Sequence, residues 1–223
     1  MNLKKLEACL GYKFRTTNHI EAALTHSSAI AQLSGEDYER LEFLGDRIVN
    51  LVIADLLFKI FTNENEGALA KRHAALVRTE TLAEASRSLQ LGEFIILSDA
   101  ERIAGGDEND NILADIMEAV TAAIYLDGGF DHAEKFIEMA LGDKLHNMAE
   151  PPRDPKTALQ EWSQAREFGL PHYELISQSG PDHAPEFTVQ VSIDGYNPQT
   201  ATSTSKKKAE KDAAKIMLDI VQD

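Results

Sequence analysis

Glu39, Glu42 and Asp46 stand three and four residues apart in the stretch ERLEFLGD. At those spacings side chains share a helical face, so Glu42 neighbours both of the others. Leu41, Phe43, Leu44, Ile48, Val49, Leu51 and Val52 give the same helix an apolar side. Carboxylates bordering a packed helix repel one another and lose water unless a cation stands between them. A hard ion such as Mg²⁺, which takes oxygen ligands, meets that need. A solvated helix edge is the competing reading of three isolated acids. Asp115 and Glu118, in ILADIMEAVTAAIYLDGG, form a second pair at i, i+3, among Ile112, Ile116, Ala119, Ala122 and Ala123. Alone, that pair reads as ordinary surface. The small residues beside it let two helices approach closely, and a crossing of the two segments brings four acids together as a metal site.

These segments are long and specific. ERLEFLGDRIV at 39–49 and ILADIMEAVTAAIYLDGG at 112–129 closely resemble the two signature segments of bacterial ribonuclease III. ALTHSS at 23–28 and EGALAKRHAALV at 66–77 resemble weaker segments of the same family. The resemblance implies a metal-dependent endonuclease for double-stranded RNA that leaves 5′-phosphate and 3′-hydroxyl ends, acting in ribosomal and other RNA processing. It implies that Glu42, Asp46, Asp115 and Glu118 hold the metal, with Asp46 and Glu118 as the catalytic pair. Mg²⁺ is the implied ion, with Mn²⁺ as a substitute. It also implies a homodimer whose two sites cut opposite strands, with Phe43 packed into the partner subunit. An ordinary core phenylalanine is the competing reading of Phe43. Glu39 and Glu66 are implied near the substrate cleft without a metal role.

Composition bounds the rest. The 223 residues, 43% hydrophobic, suffice for one large domain or two modest ones. The single cysteine, Cys9, cannot form an intrachain disulfide, which suits a reducing cytoplasm. No apolar run approaches the roughly 18 residues of a membrane span, and no signal-peptide core is visible, so the expectation is a cytoplasmic protein without a membrane partner. The net charge of −15 argues against a broad cationic surface. Residues 154–223 hold seven Lys/Arg and eleven Asp/Glu, for −4; residues 1–153 hold fifteen and twenty-six, for −11.

Periodicity places the elements that must position these residues. Helices are expected over 1–12, 18–30, 37–60, 66–77, 79–91 (closed by Gly92), 110–126 and 130–147, with a polar loop from Ser98 to Asp110 and no convincing strand. The loop run LSDAERIAGG lacks the glycine that the family usually places just before the residue matching Glu101. His26 reads as a packed or hydrogen-bonded structural histidine rather than a catalytic one. Lys71, Arg72 and Arg78 read first as a solvated face; in the ribonuclease III reading they lie near backbone phosphates.

Pro151, Pro152 and Pro155 break the helical pattern, which sets domains at 1–150 and 154–223 with a linker near 149–154. Beyond it, a helix at 156–167, strands at Tyr173 to Ser177, Phe187 to Ile193 and near Thr200, and a helix at 205–221 are expected. The fold class is therefore an all-α N-terminal domain followed by a small α+β domain of order α-β-β-β-α. DPKTALQEW, GPDHAPEFTVQV and SKKKAEKDAA resemble the double-stranded RNA-binding domain. The resemblance assigns Lys206 and Lys207 to phosphates, and Gln160, Glu161 and His183 to the minor groove, where A-form RNA shows its 2′-hydroxyls. Two family glycines before Ser205 are here Ala201 and Ser203. Either the loop takes another path or those glycines need no positive φ. The rival reading is a non-cleaving, regulatory double-stranded RNA-binding protein.

Overall fold

The computed structural model describes residues 2–32, 38–148, 151, 154–181 and 185–222. The chain divides into two compact units, Met1–Pro152 and Arg153–Asp223. The first is all-α: α1 Leu3–Leu10, α2 Asn18–Ala23, α3 Tyr38–Ile60, α4 Glu66–Leu76, α5 Thr79–Ser88, α6 Asp99–Ile103, α7 Asp110–Gly128 and α8 Phe130–His146. The second is α9 Pro155–Ala165, β1 His172–Ser179, β2 Glu186–Ser192, β3 Gln199–Ser203 and α10 Lys206–Gln222.

The first unit is built around α7. The side chain of Asn109 caps its start by accepting from the N–H groups of Asn111 and Ile112. From Ile112 to Ile124 nearly every residue is buried, as expected of a helix that is apolar on all sides. Ala114, Ala119, Ala122 and Ala123 keep its girth small, so α2, α3, α5 and α8 all pack against it. Its C-terminal end is tied to the loop after α1. There the Asp127 carboxylate accepts from Tyr12 Oη at 2.7 Å, the Arg15 N–H at 2.8 Å and the Thr16 N–H at 3.0 Å.

Three expected elements of this unit need correction. The helix expected over 18–30 stops at Ala23 and resumes as a 3₁₀ turn at Ser27–Gln32. Between them the backbone pairs with a distant segment, His26 N–H donating to Ile96 O at 3.0 Å and Ile96 N–H to Leu24 O at 2.8 Å. The helix expected over 79–91 ends at Ser88, and Gly92 lies inside a 3₁₀ turn, Leu91–Phe94, rather than closing the helix. A Cβ at Gly92 would fall 2.5 Å from the Asp107 carbonyl oxygen, so the glycine is there for close approach. The supposed loop from Ser98 to Asp110 contains α6, capped by the Ser98 hydroxyl, and a 3₁₀ turn at Gly106–Glu108. Its acids are paired at the surface: Arg102 with Asp107, and Arg87 with Glu108 and Asp110.

Arg72 departs from the expected solvated or phosphate-facing cation. It is 1% exposed. Its guanidinium donates to Glu64 at 2.8 and 2.6 Å and to the Met148 carbonyl at 2.5 Å, and lies 3.7 Å from the Phe61 ring centroid. It is a structural rivet between α4, the turn before it and the end of α8. Lys71 and Arg78 are exposed, and Arg78 Nε donates to Thr81 Oγ1 at 3.1 Å.

In the second unit Asp154 caps α9 and Pro155 opens it. The sheet is antiparallel in the order β1-β2-β3, with an irregularity between Leu175 and Ser177. Val189 and Val191 alternate inward on β2, as the period-2 pattern expects. Leu159 and Trp162 of α9 and Ala213, Ala214, Met217 and Leu218 of α10 close the core over Val191 and Ile193. Ala201 and Ser203 are regular β3 residues, opposite Val189 and Phe187. Neither has a positive φ. The glycines they replace are therefore not needed for a left-handed backbone.

Replacing Glu64 with Gln leaves the Arg72 guanidinium buried without its counter-charge, which is strongly destabilising. The variant should melt several degrees below the parent in calorimetry; a midpoint within about 1 °C of it would refute the rivet.

Candidate metal centre and nucleic-acid face

Helices α3 and α7 cross where the acids lie. Glu42 of α3 and Asp115 and Glu118 of α7 each present an oxygen, and those three oxygens lie within 4.8 Å of one another. The crossing is this close because of Gly45. A Cβ there would fall 1.9 Å from the Glu118 carbonyl oxygen and 2.3 Å from its carbonyl carbon. Backbone thus rests on backbone, and acids from two helices face one space. Sequence reading passed over Gly45. The available signal was a glycine inside a long helix, a position that costs about 1 kcal/mol relative to alanine.

Asp46 is not among the three converging acids. Arg47 Nη1 donates to its Oδ2 at 2.5 Å, and Asn50 Nδ2 donates at 2.7 Å both to its Oδ1 and to its backbone carbonyl. Asn50 is held in turn, its carbonyl 3.0 Å from His73 Nε2. Asp46 still stands close enough to act electrostatically on Glu118 and Glu42.

The charges are unbalanced. Burial, then the neighbouring Asp46, Asp115 and Glu42, pushes Glu118 up to about 8. Burial, then Asp115, Glu39 and Asp46, raises Glu42. Burial also raises Asp115, with His26 opposing the shift. Partly buried carboxylates with raised pKa values and only oxygen donors make a candidate site for a hard divalent cation. His26 fits its structural reading. Its Nδ1 accepts from the Ser28 N–H at 3.2 Å and faces Ser28 Oγ at 3.0 Å, and its ring lies edge-on to Tyr38.

Phe43 is 62% exposed, which removes the core reading. Leu51 and Phe58, at 58% and 71% exposure, follow it along the outer side of α3. Arg47 lies over the Phe43 ring, 4.0 Å from its centroid.

In the second unit Gln160 and Glu161 are exposed on α9, and Lys206, Lys207 and Lys208 are exposed at the start of α10. Ser205 Oγ accepts the Lys208 N–H at 3.2 Å, so the lysines stand on a capped helix. Lys211 is turned aside by Asp154 at 2.8 Å. His183 lies outside the described residues.

Residues 17–145 match the family model described as ribonuclease-III-like. Ribonuclease 3 of Ehrlichia ruminantium (strain Welgevonden) is 47% identical over 208 residues, covering 93% of this chain and 92% of that protein. The chain belongs to the ribonuclease III family. Ribonuclease 3 of Wolbachia sp. subsp. Brugia malayi is 44% identical over 213 residues, covering 94% of this chain and 88% of that protein. The nuclease domain of ribonuclease III from Campylobacter jejuni superposes with a TM-score of 0.59 at 40% identity, over 64% of this chain and 95% of that structure. A second structure of that domain, described by its flexibility in a region involved in dimer formation, is 43% identical over 64% of this chain and 97% of its own length, with a TM-score of 0.59. Residues 155–221 match the double-stranded RNA binding motif. This ribonuclease III family protein therefore has an N-terminal nuclease domain and a C-terminal double-stranded RNA-binding domain. No helix among the described residues is long and apolar enough to cross a membrane.

Two outcomes follow from the crossing. Gly45→Ala places a methyl inside the Glu118 backbone and should destabilise the nuclease domain by about 1–3 kcal/mol or more; parental stability in urea titration would contradict the close approach. The second concerns pH. Glu118 ionises near 4.5 in the unfolded chain and near 8 in the folded one. Between those values the folded protein holds a proton that the unfolded chain has lost, so stability falls as pH rises. Melting temperature in chelator should decline from about pH 5 to about pH 8, and Glu118→Gln should remove part of that slope. A slope identical in both proteins would contradict the assignment.

Proposed function

We propose that Glu42, Asp46, Asp115 and Glu118 hold the divalent metal of an endoribonuclease that hydrolyses double-stranded RNA to 5′-phosphate and 3′-hydroxyl ends. The observation that supports this most is the meeting of Glu42, Asp115 and Glu118 at the Gly45 crossing. Mg²⁺, with Mn²⁺ as a substitute, would activate water for attack on phosphorus and stabilise the charge that develops there. The chain's own part is to fix the donors. Two packed helices hold Glu42, Asp115 and Glu118 in place, and Asn50 and Arg47 hold Asp46 beside them. Asp46 and Glu118 form the catalytic pair of this reading. Glu118 prefers its proton without a cation and gains a reason to ionise when one arrives.

Residues 1–150 supply the chemistry and residues 154–223 most of the binding. Lys206 and Lys207 contact phosphates from the start of α10. Gln160, Glu161 and His183 read the minor groove, where donors and acceptors meet 2′-hydroxyls. Phe43, Leu51 and Phe58 form the apolar strip of a homodimer. A twofold assembly matches the two strands of a duplex, each site cutting one. The cellular setting of this reading is the cytoplasm, in ribosomal and other RNA processing.

One experiment separates chemistry from binding. A labelled RNA duplex is incubated with parent, Glu118→Gln and Lys206→Ala/Lys207→Ala proteins, in Mg²⁺ or EDTA, at roughly 50 to 250 mM salt. The parent should cut only with metal. Glu118→Gln should bind the duplex and cut far more slowly. The lysine pair should bind more weakly, with a salt slope flatter by up to about 2, and should recover cleavage at low salt. Normal cleavage by Glu118→Gln would overturn the metal assignment. A parent that binds without cutting would favour the regulatory reading.

A further inference from the structure

Tyr38 opens α3 one turn before Glu42. The residue is 3% exposed, and its hydroxyl is buried with no hydrogen-bond partner among the described residues. Native proteins rarely leave a buried hydroxyl unpaired, and each such case asks for a reason. The side chains around it narrow the choice. His26 packs edge-on, with ring centroids 5.7 Å apart. Its Nδ1 already accepts from the Ser28 N–H, which leaves Nε2 as the ring's donor rather than an acceptor. Besides burial, the charges that act on the phenol are the carboxylates of Asp115, Glu42, Glu118 and Glu39, with Asp115 the strongest of the four. Tyr38 thus keeps a buried, unpartnered donor one turn from Glu42, in the field of the carboxylate cluster.

We propose that Tyr38 is a positioning residue of the metal centre, its O–H donating to the Asp115 carboxylate and fixing the orientation in which that carboxylate meets a divalent cation. This rests on the reading of the acids as a metal site. A donor to an ionised ligand forms a strong, short hydrogen bond. Partners of this kind orient metal ligands, and losing one typically costs about tenfold or more in metal affinity. The hydroxyl contributes nothing comparable to the metal-free fold, because it has no partner there among the described residues.

Tyr38→Phe removes the hydroxyl and keeps the ring. The full-length parent, Tyr38→Phe and Glu118→Gln proteins are compared by calorimetric titration with Mn²⁺ and by melting in chelator. Tyr38→Phe should melt at or above the parental temperature and bind Mn²⁺ about tenfold more weakly. The metal concentration for half-maximal duplex cleavage should rise by a similar factor. Unchanged Mn²⁺ affinity in Tyr38→Phe, with affinity lost in Glu118→Gln, overturns the role of Tyr38 alone. A lower melting temperature with a parallel loss of affinity overturns it in favour of a purely structural side chain. Unchanged affinity in both variants overturns the metal centre itself and this inference with it.

Discussion

Backbone contact between α3 and α7 is the constraint on which the nuclease unit depends. At Gly45 the two helices meet without a side chain between them, and Glu42, Asp115 and Glu118 are brought together by that contact. Carboxylates held this way repel one another, so packing must supply what electrostatics opposes. The buried length of α7, with its alanines turned towards neighbouring helices, provides that packing. The site is a place where a well-packed core meets unfavourable charge, and in the proposed reading a bound cation reconciles the two.

The distribution of cations follows the same logic. The chain is strongly acidic, and many of its arginines serve its own acids. Arg72 secures Glu64, Arg87 secures Glu108 and Asp110, and Arg102 secures Asp107. In the second unit Lys156 and Lys211 pair with Glu210 and Asp154. The cluster left facing solvent at a helix start is Lys206 to Lys208. Charge counted over a whole sequence hides this division between structural and available cations.

Much of the architecture was legible because it rests on local rules. The 3.6-residue period marked the long helices, alternation at Val189 and Val191 marked a strand, and Pro151 to Pro155 marked the break. What was not legible depended on distant partners. Thr25 leaves the helical pattern because its neighbours pair with Ile96, seventy residues away in sequence. Arg72 looks like any surface cation until Glu64, Phe61 and Met148 surround it. Spacing alone could propose that Glu42 meets Asp115 and Glu118, but could not show Asp46 turned towards Asn50 and Arg47. Gly45 and Tyr38 were passed over because a small residue and a lone aromatic gain meaning only from what stands opposite them.

Phe43 and Glu42 are adjacent residues of one helix, turned about 100° apart. From Phe43 to Phe58 the exposed strip runs fifteen residues, or about 22 Å of α-helix. In the proposed twofold assembly this makes α3 a ruler. The separation of the two reaction centres is fixed by where the strip docks against its copy, not by any loop that could drift in length. A change of cutting offset would therefore require re-registering a helix–helix contact by a whole turn. Insertions elsewhere in the nuclease unit would leave the offset untouched.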